Sequence, residues 1–233
     1  MTAPSMQAQA GAQAAVLFDK DGTLLDDVPY NVDAELMRFA PGACEALAML
    51  AEHGYRLFVI SNQSGVALGR FPYEALGGME AHLRRMFEAC GVTLAGAYWC
   101  PHHPDGGVAR YRYRCGCRKP APGMLRRAAR EHGIDLSASW FVGDILDDVE
   151  AGTRAGCRTV LIDNGNETQW APGPARVPTL REPDLIRAAL AIVREDEHEV
   201  EVEAAGERLA TSGRNRARTG VPPDRDTTTT DRQ

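Results

Sequence analysis

The chain is 233 residues long, enough for one domain with a full core and too short for two. Its composition, 44% apolar and 25% charged, is that of an ordinary globular protein, and no window approaches the roughly 18 apolar residues of a membrane span. The formal net charge is −6, but Glu195 to Gln233 holds ten acidic and six basic residues and the remainder 22 acidic against 20 basic, so the domain is nearly neutral and has no broad basic footprint for nucleic acid.

In chain order, an Ala/Gln-rich start precedes a buried strand, Ala15 to Phe18. Lys20 is the first basic residue, so the start lacks the positive region of a secretory signal, and a cytoplasmic location is expected. A helix from Pro41 to His53, stopped by Gly54, leads to a strand from Tyr55 to Ile60. A helix over Tyr73 to Cys90 and a short strand, Gly96 to Trp99, come next. An irregular loop rich in Cys, Pro and Gly runs to Pro122, ahead of a helix from Gly123 to His132. The strand Trp140 to Val142, the helix Asp147 to Ala155, the strand Arg158 to Ile162 and an amphipathic helix Pro183 to Val193 complete the alternation. Such alternation predicts an α/β fold, a doubly wound parallel sheet covered on both faces. The expected organisation is a disordered start over 1–13, one domain over 14–194 and a disordered, low-complexity tail over 195–233.

Open parallel sheets bind ligands at the carboxyl ends of their strands. Polar residues follow the apolar strands at three such places: Asp19-Lys20-Asp21-Gly22-Thr23, Ser61-Asn62-Gln63-Ser64, and Gly143-Asp144 with Asp147 and Asp148 close behind. Carboxylates crowded at one sheet edge repel one another without a cation, and hard oxygen ligands suit Mg²⁺, for which Asp19, Asp21 and Asp144 are the candidates. Asp19 is placed as a carboxylate nucleophile, and Asp21 as the acid that protonates a leaving oxygen and later activates water. Gly22 permits a sharp turn after them. Ser61 and Lys119 can donate to a transferring phosphoryl group, and Asp148, one helical turn beyond Asp144, can orient the site from behind. Asp147 reads as a helix-start residue favoured by the dipole.

The six cysteines divide in two. Cys44, Cys90 and Cys157 lie in or beside apolar elements and read as small, reduced core residues. Cys100 and His102, separated by 12 residues from Cys115 and Cys117, form a Cys3His set for a closed, structural Zn²⁺, with His103 as an alternative to His102. Clamping Cys117 would also fix Arg118 and Lys119 beside it. The run Arg110-Tyr111-Arg112-Tyr113-Arg114 interleaves cations and aromatics and reads as an exposed hairpin face, with contact to a second substrate phosphate, ahead of a nucleic-acid backbone, as its functional alternative.

The ordered set D-x-D-G-T, a Ser after the second strand, a Lys, and G-D-x-x-x-D resembles the haloacid dehalogenase superfamily. The second acid, Asp21, is similar to the pattern of its phosphatases rather than its dehalogenases. Within that superfamily, Cys100 to Leu125 resembles the D-glycero-D-manno-heptose-1,7-bisphosphate 7-phosphatases, and the likeness covers about Val16 to Val193. The resemblance implies a haloacid dehalogenase-like Rossmannoid fold without a large cap, acting on a small phosphate ester, and a monomer is expected. It also implies a substrate site lined by Asp27, Val28, Pro29, Tyr30, Ser61, Asn62, Gln63, Ser64, Arg118 and Lys119, while the residues themselves give Mg²⁺ and Zn²⁺ as the expected cofactors and the composition gives no nucleic-acid or membrane partner. The implied reaction is an aspartyl-phosphate hydrolysis of heptose 1,7-bisphosphate to heptose 1-phosphate. Ile145 departs from the pattern, since heptose enzymes often carry Lys there. Histidinol-phosphate phosphatases are the second reading, although the span between His and the Cys pair is shorter in them. A non-enzymatic zinc-loop binding module is the third.

Overall fold

The structure, a computed structural model, describes residues 13–198. The chain divides into two compact units, Met1–Val193 and Arg194–Gln233, and the first holds every element discussed below. The stretches expected to be disordered fall almost wholly outside the described residues.

Six parallel strands are ordered β3-β2-β1-β4-β5-β6: β1 (Ala15–Phe18), β2 (Arg56–Asn62), β3 (Leu94–Cys100), β4 (Trp140–Gly143), β5 (Arg158–Ile162) and β6 (Leu180–Glu182). Between them run α1 (Ala43–Glu52), α2 (Ala75–Ala89), α3 (Gly123–His132) and α4 (Leu146–Ala155), and a last helix, α5, covers 185–193 of this unit. This is the doubly wound sheet that the alternation predicts, and no helix of the described residues is long and apolar enough to cross a membrane.

Side-chain alternation along each strand builds two cores. Val16, Phe18, Leu57, Val59, Trp140 and Val142 face α1, α2 and α5, whereas Ala15, Leu17, Phe58, Ile60 and Phe141 face α3 and α4. Burying each large side chain contributes about 1.5–3 kcal/mol, so continuous apolar runs such as Leu57 to Ile60 serve both faces at once. Cys157 packs in the second core as expected, and burial pushes its thiol up to about 12.

Four details differ from the sequence reading. The strand β3 extends to Cys100, whose partner in register is Asn62, so a cysteine stands at the active edge of the sheet. The short β6 is unforeseen, because Leu180-Arg181-Glu182 has no apolar alternation and is defined only by pairing with β5. Cys44 and Cys90, expected as reduced core thiols, are joined in a disulfide, since packing brings the start of α1 and the end of α2 to a Cα separation of 5.2 Å. The run Arg110 to Arg114 forms no hairpin: Ala109–Tyr111 is a 3-10 turn with Tyr111 buried and stacked on Tyr73 at 5.9 Å.

Candidate active site and cysteine cluster

The strand order reverses between β1 and β4, and the carboxyl ends of these two strands carry Asp19 and Asp144. Asp19, Asp144 and Asp148 are all buried, and each offers an oxygen within 4.8 Å of the others, a group able to hold a metal ion. Gly143 makes this approach possible, because a Cβ there would lie 2.3 Å from Asp148 Cβ.

The cation of the site is Lys119, only 2% exposed, with Nζ 2.6 Å from Asp19 Oδ1 and 2.6 Å from Asp148 Oδ1. It arrives from the irregular loop, and its backbone is held by β2: the Lys119 amide donates to Asn62 Oδ1 at 3.0 Å and its carbonyl accepts from Asn62 Nδ2 at 3.2 Å. Burial alone would lower the lysine pKa, but the Asp148 and Asp19 carboxylates outweigh it and raise it.

Asp21 is placed beside this group rather than in it. Its Oδ1 pairs with the fully buried Lys20 at 2.6 Å, and its Oδ2 accepts from Gln63 Nε2 at 3.1 Å. Gln63 also donates to Ser61 Oγ at 3.0 Å, which leaves the Ser61 hydroxyl hydrogen available. Burial raises the Asp21 pKa against the opposing pull of Lys20.

Asp144 has only neutral partners: Thr23 Oγ1 donates to its Oδ1 at 3.0 Å and Asn166 Nδ2 to its Oδ2 at 2.8 Å. Burial, then the nearby Asp19, push its pKa up to about 6. Burial likewise raises Asp148. With all four acids ionised, the carboxylates exceed the two ammonium groups by two negative charges, which one divalent cation would offset. The donor set of hard oxygens fits Mg²⁺.

The segment Asp27 to Tyr30 forms an exposed loop, in which Tyr30 has φ +57° and lies under the Arg70 guanidinium at 5.6 Å. Ser64 and Arg118 are half-buried, and Arg118 donates to the His102 carbonyl at 3.4 Å. A cleft of about 280 Å³ between the cysteine loop and α4 is lined by Arg114, Arg118, Lys119 and Arg154 against Asp147. Residues that sequence reasoning did not single out are Lys20, Asn164 and Asn166. The signal for the asparagines lies in their position directly after β5.

Cys100, His102, Cys115 and Cys117 converge on one point. Sulfur and Nδ1 atoms stand 3.1–3.6 Å apart, near the edge lengths of a tetrahedron of thiolate and imidazole ligands. The hydrogen bond shared with Cys100 is the largest cause drawing the Cys117 thiol well below its usual pKa, and the same bond raises Cys100. His102 Nε2 meets the Tyr113 hydroxyl at 2.6 Å, whereas His103 turns away and accepts from the Asp105 amide. Four soft donors with second contacts of this kind fit a closed metal centre.

A family model described as HAD-hydrolase-like matches residues 116–191. The D-glycero-beta-D-manno-heptose-1,7-bisphosphate 7-phosphatase of Photorhabdus laumondii is 41% identical over 152 residues, 65% of this chain and 81% of that protein. Its counterpart in Pseudomonas aeruginosa is 35% identical over 184 residues, 78% of this chain and 99% of that protein. Among solved structures, the D,D-heptose 1,7-bisphosphate phosphatase of B. bronchiseptica, complexed with magnesium and phosphate, superposes with a TM-score of 0.67 at 31% identity, covering 78% of this chain and 99% of that one. Fold, ordered carboxylate motifs and these likenesses agree: the chain belongs to the haloacid dehalogenase-like phosphatases, in the family of the D-glycero-beta-D-manno-heptose-1,7-bisphosphate 7-phosphatases.

Proposed function

We propose that the chain is a magnesium-dependent phosphomonoesterase acting through an aspartyl-phosphate on Asp19, with D-glycero-D-manno-heptose 1,7-bisphosphate as substrate and heptose 1-phosphate as product. The observation that carries the reading is the buried Asp19–Lys119–Asp148 arrangement, both contacts at 2.6 Å, beside an uncompensated Asp144. Lys119 fixes the plane of the Asp19 carboxylate and offers positive charge to the phosphoryl oxygens. The Ser61 hydroxyl, its oxygen already accepting from Gln63, donates to another.

Asp19 attacks phosphorus as the bond to the sugar oxygen breaks, and Asp21 delivers its proton to that oxygen. Burial suits Asp21 to holding the proton. In the second half, Asp21 takes a proton from water, and the resulting hydroxide displaces phosphate from Asp19. Of the four acids only Asp144 faces no ammonium group, so it would hold the magnesium together with Asp19, whose Oδ1 alone is taken by Lys119. When bound, that ion supplies charge neutralisation for the incoming phosphate dianion.

Zinc is the ion proposed for Cys100, His102, Cys115 and Cys117, with a structural role. The Arg114, Arg118 and Arg154 cleft supports a substrate with a second phosphate, since these cations lie next to Lys119. The test is turnover of heptose 1,7-bisphosphate and histidinol phosphate side by side with Mg²⁺, and Asp19→Asn as control. Expected are preference for the bisphosphate, a labelled Asp19 adduct in the wild type, and no turnover in the folded variant. Equal or better hydrolysis of histidinol phosphate overturns the substrate, and absence of any adduct overturns the mechanism.

A further inference from the structure

The loop that leaves β5 fastens three parts of the carboxylate site within four residues. Asn164 Nδ2 donates to the Gly22 carbonyl at 2.7 Å, Asn166 Nδ2 to Asp144 Oδ2 at 2.8 Å, and Glu167 Oε2 accepts from the Leu146 amide, the first of α4, at 2.7 Å. The turn after β1, the acid after β4 and the helix that follows it are thereby tied to one segment. Space is fully used at the junction. Gly22 has φ +80°, and a Cβ there would lie 2.2 Å from Asp144 Oδ2 and 2.6 Å from Asn166 Nδ2.

We propose that Asn166 is a positioning residue for the divalent cation: it holds the Asp144 carboxylate in its ion-binding orientation while Asn164 locks the Gly22 turn against it. The inference rests on the magnesium reading above. A carboxylate rotates easily about its terminal torsion, which has broad, shallow preferences. Here each oxygen has one donor, the Thr23 hydroxyl on Oδ1 at 3.0 Å and the Asn166 amide on Oδ2 at 2.8 Å. Two donors on opposite oxygens fix the rotation and leave lone pairs on both for an ion.

The donor types matter as much as their places. A lysine at position 166 would neutralise Asp144 and compete with the cation, and an aspartate would repel it. An amide orients the carboxylate without doing either. The arrangement differs from that of Asp148, whose Oδ1 faces the Lys119 ammonium. Asn166 is also exposed, so nothing in the core depends on it.

The test uses the purified full chain and Mn²⁺ as a paramagnetic probe, with free Mn²⁺ read by electron paramagnetic resonance. Losing a partner behind a metal ligand typically weakens affinity about 10–100-fold, so Asn166→Ala is expected to raise the Mn²⁺ dissociation constant at least about 10-fold. The magnesium concentration for half-maximal turnover should rise in parallel, with a smaller effect on kcat at saturating magnesium and an unchanged melting temperature in metal-free buffer. Equal Mn²⁺ affinity of variant and wild type overturns the inference and leaves the magnesium reading standing. A fall in kcat with metal affinity intact overturns it as well, because Asn166 would then act on the substrate. Failure of the wild type itself to bind Mn²⁺ removes the magnesium reading, and the inference with it.

Discussion

Lys119→Met isolates the electrostatic problem at the centre of the fold. The substitution keeps the length of the side chain and removes the ammonium that lies 2.6 Å from both Asp19 and Asp148. Those acids are 7% and 1% exposed, so water cannot replace the lost partner. Breaking a buried pair by removing one member costs about 3–5 kcal/mol. At about 2–4 °C per kcal/mol for a domain of this size, the melting temperature in magnesium-free buffer should fall by about 6–20 °C. The pH dependence has a definite sign. Burial already raises Asp148, and without the opposing lysine it binds its proton still more tightly in the folded than in the unfolded state, so the deficit relative to wild type shrinks as pH falls from 8 towards 5. The double variant Lys119→Met, Asp148→Asn removes one charge of each sign and should recover most of the lost stability, while turnover stays absent for want of the phosphoryl donor. Thermal melts followed by circular dichroism decide it. A single variant that melts within about 2 °C of wild type at pH 8, or a double variant no more stable than the single one, refutes the reasoning.

Three further outcomes are expected. Asp144 is pushed up from 3.8 to about 6, so metal-free protein should lose up to about 3 kcal/mol of stability as pH rises through that window. The Mg²⁺-induced rise in melting temperature should therefore be larger at pH 7.5 than at pH 5, and a rise independent of pH would refute it. Cys117→Ser should lose zinc, measured by elemental analysis, together with most turnover, whereas normal turnover in a zinc-free variant would uncouple the cluster from Lys119. Arg114→Ala should lower the ratio of bisphosphate to monophosphate turnover more than Arg112→Ala does, because Arg114 lines the cleft beside Lys119. Equal ratios would remove the second-phosphate role of the cleft.

Much of the site is legible in sequence because a parallel sheet forces its geometry. Apolar runs ending in Asp19, Ser61 and Asp144 must finish at one edge, so motifs far apart in sequence meet without knowledge of the loops. What escapes the sequence depends on packing across elements. Cys44 and Cys90 are 46 residues apart, and only the docking of α1 beside α2 makes them neighbours. Tyr111 sits among arginines, and its burial arises from stacking on Tyr73, a contact between distant segments. Asn164 and Asn166 follow β5 as the carboxylates follow β1 and β4, but amides carry no charge pattern to set them apart from turn residues. Lys20 stands between two acids with nothing in the sequence to mark it as buried, whereas the structure buries it against Asp21.

The loop from Pro101 to Pro122 gives the proposed link between the cysteine cluster and catalysis a physical basis. Ordering a residue costs about 1–2 kcal/mol of backbone entropy, and Tyr111 is the one buried large hydrophobic that this loop contributes among the described residues. Apolar burial cannot hold such a segment, yet Lys119 must stand within 2.6 Å of two carboxylates. Its position is instead transmitted by cross-links: the cysteine cluster at one end, with the Arg118 amide donating to Cys115 Sγ at 3.3 Å, and the paired bonds from Asn62 to the Lys119 backbone at the other. Arg114 and Arg118 ride on the same clasp. The cations proposed for a second phosphate are thus carried by a segment independent of the strands that hold Asp19 and Asp144. That separation gives a physical reason why Ile145, at the head of α4 and without charge, is compatible with a doubly phosphorylated substrate: the loop can retune recognition while the carboxylates keep their places.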